Sequence, residues 1–184
     1  DGVIAAALDR VAGELERQGA KVARRSDLVP DLAQAHEIYL GVLNTAMSRG
    51  GPPQPGALTA HQWMDLMDAQ GGVRRRWAAL FDTVDVVLAP NFGSLAYPHQ
   101  TSPDQSSWTL EINGEPGSYF AQLAWPGMAT LAHLPSTSTP IGLSDGGLPI
   151  SLQVIGAAYE DRTTLRFSQL LETAFGGFRP PPGY

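Results

Sequence analysis

Two strand-like runs joined by a glycine turn constrain the fold of this chain most strongly. The runs are STSTPIGL, residues 136–143, and PISLQVIG, residues 149–156, and the turn SDGG at residues 144–147 lies between them. Apolar, β-branched runs separated by a short glycine-containing turn are typical of a pair of neighbouring strands. The second run is almost continuously apolar, which predicts a buried strand.

The amide of Gln153 stands in the middle of this otherwise apolar strand. Strand alternation places Ile150, Leu152 and Val154 on one face and Ser151, Gln153 and Ile155 on the other. A neutral amide neither titrates nor attacks, so a structural hydrogen bond is favoured over a catalytic role. Because buried amides need partners, Gln153 is predicted to bond neighbouring backbone.

Helices and short strands are predicted to alternate along the rest of the chain. Apolar positions recur at helical spacing in residues 1–19, 31–47, 59–83 and 160–175. The third of these is predicted to be one helix or two helices separated at Gly71 and Gly72. The run AKVARR, residues 20–25, is predicted to be a short strand. The alternation favours an α/β fold in one domain.

A further strand and a long loop are predicted in the middle of the chain. Residues 86–89 are continuously apolar and end at Pro90, which predicts a central strand covered on both faces. Residues 91–118 have few periodic apolar positions and predict an extended loop, with a hairpin built on Asn113 and Gly114. Loops of this length inside a compact domain are usually lids or binding loops.

Three other segments have less regular patterns. Residues 119–132 are predicted to be helical in two pieces broken at Pro126, and residues 48–57 are predicted to be a surface loop because they are rich in glycine and proline. The final helix is expected to turn inward the apolar residues Leu165, Leu170, Leu171, Ala174 and Phe175.

Composition narrows the class of protein. The net charge of −6 argues against a nucleic-acid surface, and the chain has neither a membrane-length apolar run nor a secretory signal, so a cytoplasmic protein is expected. Without cysteine there are no disulfides or thiolate metal sites, and the four histidines lack metal-binding spacing. We therefore expect no metal and no cofactor. The chain begins without methionine and enters a helix directly, which predicts a segment of a longer polypeptide.

An ordered set of motifs resembles the C-terminal part of the amidase signature hydrolases. The opening LERQGAKV is similar to a helix-to-strand element of that family, and DTVDVVLAP is similar to its Asp-x-Leu-x-x-Pro segment. Further matches are Leu134, Pro135, Pro140, Gly142, Gly147 to Pro149, Gln153, Gly156, Asp161 and Glu172. His133 and Ser151 replace usual glycines of the family, and residues 136–139 are more hydroxylic than its pattern.

The resemblance implies a fold, a chemistry and a position within the family domain. The fold is a mixed β-sheet covered by helices, and residues 1–184 would be the C-terminal portion of a single amidase-like domain. The family hydrolyses carboxamides with a serine nucleophile, a second serine joined through a cis peptide, and a lysine base. The glycine-serine-rich signature and the lysine precede the portion matched here, so the catalytic half is expected upstream.

Local candidates for the same chemistry are weak. A serine attacks only when a base removes its proton, and a lysine does so only when burial lowers its pKa. The adjacent Ser106 and Ser107 have no neighbouring glycine for an anion-binding turn. Lys21, the single lysine among 12 basic residues, is expected to face solvent beside an acidic side chain. No catalytic residue is therefore predicted in this chain, and the chain alone is predicted to be inactive.

The resemblance also implies a substrate-pocket wall. Its predicted members are Asn91, Phe92, Tyr119, Trp125 and Met128. Packing in the core remains an equal alternative for Trp125. Expected partners are a small-molecule amide, the N-terminal half of the same polypeptide and, through unpaired strand edges, a second copy of the chain. The alternative function is a non-catalytic, amidase-like binding or assembly subunit of a larger complex.

Overall fold

Helices form where the sequence supplies both a cap and an apolar stripe. A computed structural model describes residues 1–52, 56–181 and 183, so residues 53–55 of the predicted surface loop lie outside the described residues. The first three helices are α1 (Gly2–Arg17), α2 (Leu32–Met47) and α3 (Ala60–Phe81). Asp1 and Asp31 cap the first two through their carboxylates, and Thr59 forms a capping box with Gln62 at the third.

The third helix is continuous through Gly71 and Gly72. Each glycine costs a helix about 1 kcal/mol relative to alanine. The residues that follow, Val73, Trp77 and Leu80, are buried against α2 and the helix after residue 123. This packing explains why one continuous helix forms where the sequence is compatible with two.

The strands found in the described residues form two small sheets. They are β1 (Val86–Pro90), β2 (Thr109–Ile112), β3 (Glu115–Ser118), β4 (Ser136–Leu143) and β5 (Pro149–Gly156). Strand β5 lies between β1 and β4 and is antiparallel to both, while β2 and β3 form the predicted hairpin. Asn113 and Gly114 have φ angles of 56° and 82°, as a two-residue hairpin turn of this hand requires.

Helices cover both faces of the three-stranded sheet, and this confirms the α/β class. The other helices of the described residues are α4 (Tyr119–Gln122), α5 (Ala124–Ala132) and α6 (Asp161–Phe175), and a 3₁₀ turn spans Gln105–Ser107. Helices α1 and α6 pack on one face against Ile141, Leu152 and Val154. On the other face α5 packs on Ala89 and Ile155, with α2 and α3 outside it.

Three local predictions differ from the structure. Residues 20–25 are not a strand, because no strand of the described chain lies beside them to take up their backbone hydrogen bonds. The break within residues 119–132 falls at Leu123, and Pro126 sits in the first turn of α5, where its missing N–H costs little. Strand β1 is covered on both faces as predicted, yet within the described residues it is an edge strand.

The predicted inward face of α6 is right for Leu171 and Phe175, which pack on the core, and wrong for Leu165, Leu170 and Ala174, which are exposed. Leu165 and Leu170 are 55% and 50% exposed, whereas Thr164 and Ser168 are buried beside Leu171. The two hydroxyls face the sheet because β4 offers them partners. Thr137 Oγ1 bonds Thr164 Oγ1 at 2.9 Å, and Thr139 Oγ1 bonds Ser168 Oγ at 2.8 Å.

Candidate functional site

An aromatic cluster gathers at the end of β1. It consists of Phe92, Tyr97, Trp108, Tyr119 and Phe120, and we call these five residues the aromatic cluster. The ring of Tyr119 is central, with centroids 6.0 Å from Phe92, 5.2 Å from Trp108 and 5.5 Å from Phe120. Phe92 also stacks on Tyr97 at 6.3 Å. The cluster brings together two predicted wall residues, Phe92 and Tyr119.

Local structure orients these rings. Tyr119 is the first residue of α4, whose N-cap Ser118 accepts a hydrogen bond from the N–H of Ala121. Trp108 is held by a 2.9 Å bond from its indole Nε1 to the carbonyl of Ser102. Sequence reasoning missed Tyr97, Trp108 and Phe120, since rings in a polar loop leave no periodic signal.

Trp125 lies against the loop that follows β1. A Cβ placed on Gly93 would stand 2.9 Å from the indole Nε1 of Trp125 and would overlap the side chain of Gln122. Only glycine allows this approach of loop and helix. The structure therefore places Trp125 beside Phe92 and its neighbours, with the indole half-buried.

Asn91 ties the end of β1 to the two other strands. Its Nδ2 donates to Ser138 Oγ on β4 at 2.8 Å and to Ser151 Oγ on β5 at 2.7 Å. Both amide hydrogens are thus used, while the two serine hydroxyls keep their own hydrogens to donate elsewhere. Strand alternation puts Ser138 and Ser151 on the same face as Gln153, so this signal was present in the sequence.

Gln153 is buried, with 3% of its surface exposed. Its Nε2 donates to the carbonyls of Pro90 and Trp125, each at 2.8 Å, and its Oε1 accepts from Ser136 Oγ at 3.1 Å. The predicted bonding of Gln153 to neighbouring backbone is confirmed.

Met128 differs from the other predicted wall residues. Its side chain packs against buried residues of the sheet and of α5, among them Ala89, Ala129 and Ile155. The structure thus brings Asn91, Phe92, Tyr119 and Trp125 to one end of the sheet. Met128 lies on α5, like Trp125, but on the side of that helix that faces the core. Its contribution to a pocket stays a prediction.

The adjacent serines Ser106 and Ser107 meet no usable base in the described part of the chain. Ser106 Oγ donates to Asp104 Oδ1 at 2.7 Å, and Ser107 Oγ bonds Ser102 Oγ and the Asp104 carbonyl. The Ser106 hydroxyl, aided by its backbone N–H, lowers the pKa of Asp104 below its ordinary value of 3.8. So weak a base cannot take the serine proton at neutral pH. Among the described residues there is no cis peptide bond, and Lys21 is exposed.

A small cavity lies beside Asn91. It has a volume of about 150 Å³ and is lined by Ile4, Asn91, Phe92, Ser94, Ile150 and Ser151, among others. Pockets for small organic ligands usually hold roughly 300–1,000 Å³. Within the described residues the Oγ of Ser94 is buried without a hydrogen-bond partner. The cavity therefore encloses part of a pocket at most.

Metal-binding clusters and membrane-spanning helices are not found in residues 1–52, 56–181 and 183. No group of three or more His, Asp or Glu side chains there is placed to hold a metal ion. None of the helices in these residues is long and apolar enough to cross a membrane.

Relatives match the chain over much of its length. The chain is 31% identical over 109 residues to a subunit of the glutamyl-tRNA(Gln) amidotransferase of Chelativorans sp., which is 59% of this chain and 20% of that protein. It is 40% identical over 126 residues to fatty-acid amide hydrolase 2-A of Danio rerio, covering 67% of this chain and 20% of that protein. The chain thus spans about a fifth of the length of these curated relatives.

Solved structures share the fold. The crystal structure of a glutamyl-tRNA(Gln) amidotransferase subunit from Thermotoga maritima superposes with a TM-score of 0.72 at 21% identity, over 94% of this chain and 39% of that one. A bacterial aryl acylamidase of the amidase signature family superposes with a TM-score of 0.67 at 22% identity, over 93% and 40% of the two chains. The model of the family described as Amidase matches residues 52–165. The chain therefore belongs to the amidase family.

Proposed function

We propose that this chain is the C-terminal portion of an amidase-like domain and supplies scaffold and pocket wall to an enzyme that hydrolyses carboxamide C–N bonds. A serine, a second serine and a lysine in upstream polypeptide carry the chemistry. One observation carries the proposal. The amidase match over residues 52–165 includes Ser106 and Ser107, and among the described residues the only base these serines meet is the weak carboxylate of Asp104.

The wall of the pocket is formed by Asn91, Phe92, Tyr119, Trp125 and Met128. The aromatic cluster offers ring faces to an apolar group of the substrate, since offset and edge contacts between rings are favourable. The hydroxyls beside Asn91 offer hydrogen bonds to the carboxamide. Holding an amide against an attacking oxygen lowers the entropic part of the barrier.

The unpaired backbone of the described chain supports an upstream partner. The outer edge of β1 and the irregular residues 20–25 carry N–H and C=O groups that no described strand takes up. The proposed partners are the N-terminal half of the same polypeptide, a small-molecule amide and a second copy of the chain. We propose a cytoplasmic location, which cell fractionation tests.

A second candidate function is a non-catalytic binding or assembly subunit. The relatives from Chelativorans and Thermotoga are named as subunits, and another structural neighbour comes from a vestigial protein complex. The gene upstream of Asp1 separates the candidates. A glycine-serine-rich stretch with an earlier lysine supports the amidase, and an independent start codon beside Asp1 supports the subunit.

The direct test is amide turnover by the purified 184-residue chain, with acetanilide and hexanamide as substrates. We expect ammonia or aniline release at the buffer rate. Turnover that survives Lys21→Ala and is lost in Ser106→Ala or Ser107→Ala would show that the chain has its own site and would overturn the proposal. The Asp104→Asn variant removes the weak base alone, and we expect its amide turnover to stay at the buffer rate.

A further inference from the structure

The side chain of Gln153 joins two segments that are distant in sequence. One Nε2 hydrogen goes to the carbonyl of Pro90, the last residue of β1, and the other goes to the carbonyl of Trp125 in the first turn of α5. Both partners are carbonyl oxygens, which only accept hydrogen bonds, so the orientation of the amide is unambiguous. The remaining atom, Oε1, accepts from Ser136 Oγ.

These two segments carry most of the proposed pocket wall. Pro90 is followed directly by Asn91 and Phe92, and Trp125 is itself a wall residue. The segments also touch at Gly93, where no Cβ would fit beside the Trp125 indole. The two segments are therefore joined in two ways, by close packing at Gly93 and by a pair of hydrogen bonds from Gln153.

We propose that Gln153 is a positioning residue that fixes the distance between the end of β1 and the first turn of α5, and so the spacing of Phe92 and Trp125. It acts through the backbone of the wall segments, because it is buried and its Nε2 bonds their carbonyls. The description of that wall as a substrate pocket rests on the proposed function. The coupling of the two segments does not.

The polar contacts favour this role over simple packing. Loss of the two donors would leave the partly buried carbonyls of Pro90 and Trp125 without the hydrogens that link them through Gln153. The methylene groups of the side chain would not replace that link. A residue that acted by packing alone could be exchanged for methionine without moving either segment.

The test compares Gln153→Glu with Gln153→Met and observes the indole N–H resonances of the four tryptophans by ¹H–¹⁵N NMR. Glutamate keeps the size of glutamine, but when ionised it has no donor for the two carbonyls. On protonation it regains one O–H donor. We expect the Trp125 resonance to be displaced in both variants at neutral pH.

Acidification should return the Trp125 resonance toward its wild-type position in Gln153→Glu only. The midpoint should lie above the ordinary glutamate pKa of about 4.3, because burial beside carbonyl oxygens disfavours the charged form. Wild type at each pH is the reference, and Trp63 on α3 should not follow the transition. Ser136→Ala is the matched control. It removes the Oε1 partner, leaves both carbonyl bonds in place and should leave Trp125 unmoved.

Several outcomes overturn the inference. In the first, the Trp125 resonance stays at its wild-type position in both variants and only the free energy of unfolding changes. In the second, the Trp125 resonance of Gln153→Met coincides with that of wild type. If neither variant folds, the wild-type protein decides. We expect the Gln153 side-chain amide hydrogens to exchange slowly and to show through-space contacts to residues 91 and 126. Fast exchange without those contacts contradicts the proposal.

Titration with acetanilide tests the proposed pocket separately from the coupling of the two segments by Gln153. We expect acetanilide to shift Trp125 in wild type, with an apparent Kd about five-fold or more higher in Gln153→Met. A five-fold change corresponds to roughly 1 kcal/mol, a typical value for one hydrogen bond. If acetanilide shifts nothing in wild type while the acid recovery of Gln153→Glu occurs, the pocket assignment fails and the coupling stands.

Discussion

The two faces of the three-stranded sheet are built from different chemistry. The closed face carries Ile141, Leu152 and Val154, and α1 and α6 cover it. The open face carries Ser136, Ser138, Ser151 and Gln153, and α5 covers the part with Ala89, Gln153 and Ile155, leaving Ser136 and Ser138 exposed. The closed face is therefore mainly a source of stability, whereas the open face holds polar groups in place beside the aromatic cluster.

The different chemistry of the two faces predicts which property of the protein a substitution should change. Buried apolar area dominates folding stability, at about 25 cal/mol for each Å². Exposed hydroxyls and edge rings contribute little to it. Changes at buried apolar residues should lower the free energy of unfolding, and these residues dominate the closed face. Changes at the exposed polar residues of the open face should instead alter local geometry or binding.

The largest effect is expected for Leu152→Ala on the closed face. Leu152 is fully buried, so truncation removes transfer free energy and leaves a cavity. The free energy of unfolding should fall by about 2–5 kcal/mol in urea denaturation. Leu165→Ala, the matched change at an exposed leucine of α6, should stay within about 0.5 kcal/mol. Equal losses of unfolding free energy in Leu152→Ala and Leu165→Ala would contradict the assignment of stability to the closed face.

A smaller loss is expected for Ser168→Ala. This change leaves the hydroxyl of Thr139 buried without its partner, at a cost of about 1–3 kcal/mol. The double variant Thr139→Val/Ser168→Ala should recover part of the loss, since no orphan group remains. Ser138→Ala, at an exposed serine of the open face, is the control and should have little effect. Strict additivity in the double variant would contradict the account.

Next in size is Tyr119→Leu in the aromatic cluster. Tyr119 contacts three rings, and such pairs contribute about 0.5–1.5 kcal/mol each beyond burial when enclosed. Because the cluster is partly exposed, we expect a total loss of about 1 kcal/mol together with a clear change in the near-UV circular dichroism. Tyr159→Leu should change neither quantity, since Tyr159 is 94% exposed. A spectrum unaltered by Tyr119→Leu would argue against an ordered cluster.

The smallest effect is expected away from both faces, at the ion pair of Glu16 and Arg24. The hydrogen bond from Arg24 lowers the pKa of Glu16 below its ordinary value of 4.5. A lowered folded pKa stabilises the fold above the unfolded value, and this stabilisation is lost as pH falls through the folded one. Arg24→Gln should return the pKa toward 4.5 by NMR titration, with no resolvable change in unfolding at neutral pH because the pair is exposed.

Much of this architecture was predictable because it depends on local patterns. The strand runs at residues 136–143 and 149–156 and the hairpin at Asn113 were confirmed. The errors arose where a tertiary partner decides the outcome. Residues 20–25, predicted to be a strand, have no neighbour to pair with in the described chain. Helix α6 turned Thr164 and Ser168 inward because β4 supplies hydroxyl partners.

The candidate site was predictable only in part. Strand alternation explains why Ser138 and Ser151, the partners of Asn91, lie on the same face as Gln153. The family resemblance supplied Phe92, Tyr119 and Trp125. Trp108 could not be predicted, because its place in the aromatic cluster depends on the path of the loop before β2. No periodicity records that path.

The central claim is that the open face and the aromatic cluster form the wall of an amide-binding pocket. Titration of the ¹⁵N-labelled chain with acetanilide, followed at the four indole N–H resonances, tests it most directly. We expect saturable shifts of the Trp108 and Trp125 resonances. The resonances of Trp63 and of Trp77, which is buried where α3 packs on α2 and α5, should not shift. Shifts confined to Trp63, or Trp108 and Trp125 unmoved up to the solubility limit of acetanilide, would contradict it.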